Sequence, residues 1–265
     1  MLPFHIVFAS WAVLSVMAIG CLPPLPENTA LPPPQRTVLD EASGAVFSSE
    51  PGLEDAVWVE IPGNSGRTVG GYLSLENADS GDIVIVLHGA SSFSIEGAVD
   101  NARGFHEGFG LAYRQAGYRT LSLDFQECGT AYGQGDTADV VQAIDWLNGP
   151  GKAVLGTTGI YLVGYSVGAT AAIVANRQRQ VTAVASISGI TEPQSLQDAW
   201  FLYYLAGSLY PNNEGLCQVG STLAAYGPPG SPSWDALNTV ARVNELQSPM
   251  LVTQGIRDQI FPVSN

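Results

Sequence analysis

Ile160-Tyr161-Leu162-Val163-Gly164-Tyr165-Ser166-Val167-Gly168, followed by the small-residue stretch Ala169 to Ala175, decides how the rest of the chain folds. An apolar run of β-forming residues enters the pentapeptide and an alanine-rich helical pattern leaves it. Between them the chain must reverse within five residues. A bend that tight accepts only glycine two places either side of the serine, and it lifts the Ser166 hydroxyl clear of the sheet. Glycine-rich chains contain the bare five-residue pattern by chance. The strand before it and the helix after it are what make Ser166 a candidate nucleophile, against the plainer reading of an ordinary strand-helix turn.

The chain has 265 residues, 46% of them hydrophobic, enough for one large α/β domain. No Pro/Gly/Ser linker or charge block interrupts it after about residue 50, so a single domain is expected. Ten Lys and Arg stand against 24 Asp and Glu, a formal charge of −14. A phosphate backbone would be repelled, and nucleic acid is not an expected partner. No internal repeat is visible.

Phe4 to Gly20 is almost wholly apolar, short for a membrane span, and ends in Ala18-Ile19-Gly20 before Cys21. Small residues before a cysteine resemble a bacterial lipoprotein signal, which implies that Cys21 carries a lipid anchor on an exported, cell-envelope protein. No Lys or Arg precedes the apolar run, which leaves a plain secretory signal or an uncleaved anchor as alternatives. Leu22 to Arg36, with prolines at 23, 24, 26, 32, 33 and 34, reads as an extended tether. The expected division is a signal over 1–20, a lipid-bearing tether over 21–50 and a catalytic-type domain over 51–265. With Cys21 given to lipid, Cys128 and Cys217 remain, either as a disulfide or as two separate buried thiols.

Ala56 to Ile61 and Val69 to Leu75 alternate apolar and polar residues about Pro62-Gly63-Asn64, as an opening antiparallel hairpin would. Ile83 to Leu87 is continuously apolar, the pattern of a strand covered on both faces, and runs into His88-Gly89-Ala90-Ser91-Ser92. Phe105 to Ala116 is predicted helical and Thr120 to Phe125 extended. Asp136 is placed to cap a helix bearing Val140, Val141, Ile144 and Leu147, with Asp139 in capping-box position. Ala183 to Ile187 and Met250 to Thr253 complete the strands. Their alternation with helices predicts an α/β fold, a mostly parallel central sheet with helices on both faces.

His88-Gly89 after one buried strand, Gly164 to Gly168 after a second and Gly255-Ile256-Arg257-Asp258-Gln259-Ile260-Phe261-Pro262 after a third resemble, in that order, the α/β-hydrolase superfamily over roughly residues 55 to 265. Asp124 to Leu147 is similar to its dienelactone-hydrolase-like and prolyl-oligopeptidase-like members. The resemblance implies Ser166 as nucleophile, the backbone N–H groups of Ala90 and Val167 as the oxyanion hole, and Asp258 as the acid that orients the base. It calls for no cofactor and no metal. Plainer readings stand beside these: Asp258 as a turn cap, His88 as a structural residue of the oxyanion loop rather than the base, and Asp124 and Glu127, at the end of another strand, as solvated loop acids rather than the rim of the site.

In that superfamily the catalytic histidine follows the acid, and this chain has none after His106. The expectation is therefore that the sequence is C-terminally incomplete. His106 is the alternative base, though an ordinary solvent-facing helix histidine is the simpler reading. About residues 190–247 are expected to form a small cap, where Trp200 to Leu205 would line an apolar acyl pocket or merely pack the cap onto the core. Two functions remain: a membrane-tethered serine hydrolase acting on a small ester or acyl substrate, or a non-catalytic binding module of the same fold. Neither substrate nor oligomeric state follows from the sequence.

Overall fold

The structure, a computed structural model, describes residues 36–63, 67–89, 98–125, 131–192, 221–222, 224–228 and 230–255. Nine strands form one sheet: β1 Arg36–Leu39, β2 Val46–Glu50, β3 Leu53–Pro62, β4 Thr68–Ser74, β5 Asp82–Leu87, β6 Arg119–Asp124, β7 Gly159–Tyr165, β8 Ala183–Ile187 and β9 Met250–Thr253. Their order across the sheet is β1-β2-β3-β4-β6-β5-β7-β8-β9. β1 through β4 and β6 pair antiparallel, and β6, β5, β7, β8 and β9 run parallel. The crossovers are helical. They comprise α1 Ala98–Glu107, α2 Phe109–Gln115, α3 Gly135–Asn148, α4 Pro150–Leu155 and α5 Val167–Gln178.

The parallel strands are apolar because both faces are covered. Ile83 to Leu87 are all essentially inaccessible, with Ile83, Ile85 and Leu87 in the main core under α3 and α5 and Val84 and Val86 packed with Phe105 and Tyr113 on the opposite face. α5 is lined by Val167, Ala169, Ala171, Ala172, Ile173 and Ala175, all buried. Small side chains let that helix lie close to β7 directly behind the serine turn.

Three sequence expectations need correction. The sheet begins at Arg36 rather than after residue 50, because β1 and β2 add an antiparallel edge to the β3–β4 hairpin. The predicted helix over 105–116 is two helices, with α1 starting at Ala98 and a break at Gly108, where ψ is −85°. Asp136 is not the N-cap of α3. It lies in the first turn, buried, and accepts from the Gly133 and Thr137 N–H groups at 3.1 and 2.7 Å. Asp139 pairs with Arg67 at 2.6 Å.

The described part of the expected cap packs into the main core. Tyr226, Trp234 and Leu237 are buried there, the last two in the 3₁₀ segment Pro232–Leu237. The Tyr226 hydroxyl donates to the Tyr132 carbonyl at 2.7 Å. Trp200 to Leu205 lie outside the described residues.

Candidate active site

Ser166 stands between the last residue of β7 and the first of α5 with φ +55° and ψ −116°. A side-chain-bearing residue is strained there. The flanking glycines show why the sequence has this form. A Cβ on Gly164 would collide with the backbone of Gly168 and Ala169, and one on Gly168 with the carbonyl oxygens of Leu87 and His88. The turn is folded so tightly that strand and helix touch backbone to backbone. Its hydrogen bonds hold it from both sides: Ser166 N–H donates to the Ile187 carbonyl at 2.9 Å, and Gly168 N–H to the His88 carbonyl at 3.1 Å.

Val167 is the first residue of α5, so its N–H has no acceptor within the helix and sits at the positive end of the helix dipole. That is the property an oxyanion donor needs. The expected second donor, Ala90, lies just beyond the described residues, as do Asp258, Glu127, Cys21, Cys128 and Cys217. The segment that leads to Ala90 is described as far as Gly89, whose Cα faces Ser166: a Cβ built there would stand 3.4 Å from the Ser166 Cβ. β9 ends at Thr253, beside Ile187 of β8, which in turn lies beside Tyr165. The chain therefore enters the Asp258 segment two strands from Ser166, on the same edge of the sheet, roughly 10 Å away.

Neither described histidine serves Ser166. His88 is fully buried, stacked on Phe125 with ring centroids 4.2 Å apart, and its Nδ1–H donates to the Gly89 carbonyl at 2.7 Å. It stands directly after β5, at the start of the segment that leads to Ala90. His106 is not solvent-facing. It is fully buried in the last turn of α1, its Nε2 3.2 Å from Asp55 and its Nδ1 3.4 Å from the Arg114 guanidinium. Burial first and Arg114 second push its pKa below the usual histidine value, so it is a neutral Nε2–H donor at pH 7. Asp55 precedes Ala56, which pairs with Ser74, and Ser74 in turn bonds Thr120. That is the N-terminal end of the parallel strands, opposite to Ser166. Asp124 ends β6, half-buried and paired in register with Gly70.

Sequence reading missed two features of this edge. Tyr165, 41% exposed, forms an aromatic cluster with Phe105 and Phe109 beside the serine. Ser188, at the end of β8, also has a positive φ, +54°. The turn dipeptide Ser188-Gly189 was its only sequence signal. A surface depression of about 610 Å³, lined by Pro62, Gly63, Val141, Gln142, Trp146 and Arg179 among others, includes none of the strand ends that carry Ser166. No helix among the described residues is long and apolar enough to cross a membrane.

The sequence matches no family model and no curated protein. Solved structures do match. An esterase of Pyrococcus furiosus superposes with a TM-score of 0.55 at 18% identity, over 79% of this chain and 73% of that one. A puromycin-hydrolysing peptidase of Mycobacterium tuberculosis gives 0.57 at 16%, over 86% of this chain but 37% of that one. Dipeptidyl peptidase 4 of Porphyromonas gingivalis gives 0.52 at 13%, over 86% and 35%. Identities this low speak to architecture alone, and the architecture is that of the α/β hydrolases.

Proposed function

We propose that this chain, which has the α/β-hydrolase fold, is a serine hydrolase cleaving ester or acyl bonds through an acyl-Ser166 intermediate. The observation that carries the reading is the Ser166 backbone, held at φ +55° by two glycines that no other residue could replace. Strain of this kind costs about 1–3 kcal/mol and persists where surrounding structure enforces it. In the proposed reaction Ser166 Oγ attacks the acyl carbon and loses its proton to a base, and the carbonyl oxygen becomes an oxyanion facing Val167 N–H. Ala90 N–H would supply the second donor, and Asp258 would orient the base. Collapse of the oxyanion breaks the scissile bond and expels the alcohol or amine, which takes the proton back from the base. Water, giving a proton to the same base, then attacks the acyl-serine, and collapse of that adduct releases the acid and returns the proton to Ser166 Oγ. A base at Ser166 is required, and neither His88 nor His106 supplies it. The second reading is a binding module that keeps the fold without turnover.

A fluorophosphonate probe separates the two. Labelling of the wild type that is lost in Ser166→Ala supports the hydrolase. A folded wild type that neither labels nor hydrolyses a nitrophenyl acetate ester supports the binding module. We also propose that Cys21 anchors the protein to a membrane through lipid, as its small-residue leader suggests. Cys21→Ala should then appear in the soluble fraction, and an unmodified N-terminus cut elsewhere, seen by mass spectrometry, would exclude the anchor.

A further inference from the structure

Three non-glycine residues among those described have a positive φ: Asn77, Ser166 and Ser188. Asn77 is compensated by its own side chain, whose Nδ2 donates to the Arg114 and Tyr118 carbonyls at 2.7 and 3.0 Å. Ser166 is the elbow itself. Ser188 has no side-chain bond to a described residue that would account for its conformation, so its cause must lie in the backbone.

The backbone around Ser188 is tied to three elements. The carbonyl of Ile187 accepts from Ser166 N–H at 2.9 Å, and the Ser188 N–H donates to the Thr253 carbonyl at 2.9 Å. These are the two ends of one planar peptide group. That single plate bridges the serine elbow on one side and the end of β9 on the other. Two residues on, the buried Ile190 N–H donates at 3.1 Å to Oγ1 of Thr170, and that oxygen lies 3.5 Å from the Ser166 carbonyl. Thr170 is itself buried in the first turn of α5.

We infer that Ser188 is a positioning residue: its left-handed turn lets the 187–188 peptide hold the Ser166 elbow at a fixed spacing from β9, the strand that runs on toward Asp258. Relaxing φ at Ser188 to a negative value has two outlets. Either the peptide plate rotates and gives up Ser166 N–H and the Thr253 carbonyl, or the chain leaves Thr170 and strands the buried Ile190 N–H. Both loosen the mount of the serine. The functional consequence rests on Ser166 being the nucleophile, whereas the mechanical claim does not.

The test compares Ser188→Gly, which is at ease at positive φ, with Ser188→Val, which is not. Two readouts are taken: amide hydrogen exchange at Ser166 and Ile190, and the rate of fluorophosphonate labelling. Ser188→Gly should match the wild type within about 2-fold in both, while Ser188→Val, still unfolding cooperatively, should exchange at least about 10-fold faster at Ser166 and label about 10-fold more slowly. If the valine variant does not fold, Ser188→Ala takes its place, with exchange at Ser166 accelerated at least about 3-fold. Wild-type protection of Ser166 in the valine or alanine variant overturns the inference, as does a glycine variant damaged as badly as valine, since the hydroxyl would then be what matters. If the wild type is not labelled at Ser166, the hydrolase reading fails on its own, and the exchange measurement still decides the positioning claim.

Discussion

Ser166 holds a conformation that glycine would adopt with less strain, so activity and stability should oppose one another at this position. Ser166→Gly releases about 1–3 kcal/mol of strain and gives back about 0.5–1 kcal/mol through the freer unfolded chain. A net gain of about 1 kcal/mol in urea unfolding is expected, with complete loss of labelling. Ser166→Ala should lose labelling without the gain, because alanine is strained there too. Equal stability of the two variants would sink this account. Gly168→Ala should cost more than about 2 kcal/mol, since its methyl group meets carbonyl oxygens that cannot retreat without moving the exit of β5. These glycines were legible from their spacing together with the apolar strand before them and the helical pattern after them, because the Gly164 collisions arise within the turn itself and those of Gly168 against the end of the neighbouring strand. Ser188 was not legible. Its φ is set by Thr253 and Thr170, partners far away in sequence.

At the scale of elements, local pattern found the buried strands and misjudged the ends of helices. Continuous apolar runs identify β5 and β7 whatever surrounds them. The break at Gly108 and the true start of α1 depend on how two short helices bridge β5 to β6, which periodicity does not record. The same bridge explains His106. α1 and α2 are locked by Arg114, which donates to the His106 carbonyl at 2.6 Å, to Asp55 at 3.2 Å and to Glu76 at 2.8 Å, while His106 donates to Asp55. A histidine on a helix reads from sequence as exposed, and only the packing of α1 on β4 and β6 shows otherwise. Its depressed pKa has a definite sign. Above the unfolded value of about 6.5 both states are neutral and the folded contribution is complete. As pH falls below that value the unfolded chain takes up a proton that the folded chain refuses, so stability is lost. The urea midpoint should drop between pH 7.5 and 5.5, and the drop should be shallower in His106→Gln. Parallel pH dependences in the two proteins would remove His106 as its source.

For the whole molecule, the question is where the folding unit begins. The proline cluster ending at Pro34 reads as a tether, and the short polar stretch after it offered no periodic signal, so β1 and β2 went unseen. Their membership in the sheet is decided by tertiary contacts. Ala45 is fully buried in the main core, and Trp146 Nε1 of α3 donates to the Ser43 carbonyl at 3.1 Å. Glu50 receives Arg103 of α1 at 2.8 Å and also the Tyr72 hydroxyl of β4. Removing residues 36–50 would therefore strip one edge of β3, open the core at Ala45 and take from Tyr72 and Arg103 the Glu50 carboxylate they share, leaving Arg103 its pairing with Glu107. A protein beginning at residue 36 keeps all of these contacts, whereas one beginning at residue 51 presents β3, Leu53–Pro62, as a bare ten-residue edge with Leu53, Val59 and Ile61 behind it. Long unpaired edges recruit other chains. The first protein should unfold cooperatively with the midpoint of the full chain, within about 0.5 kcal/mol. The second should aggregate on expression or lose more than about 3 kcal/mol, several buried contacts going at once. Light scattering and urea unfolding of the two proteins measure this, and a stable, monomeric protein starting at residue 51 would show that β1 and β2 are ornaments on the domain rather than part of it.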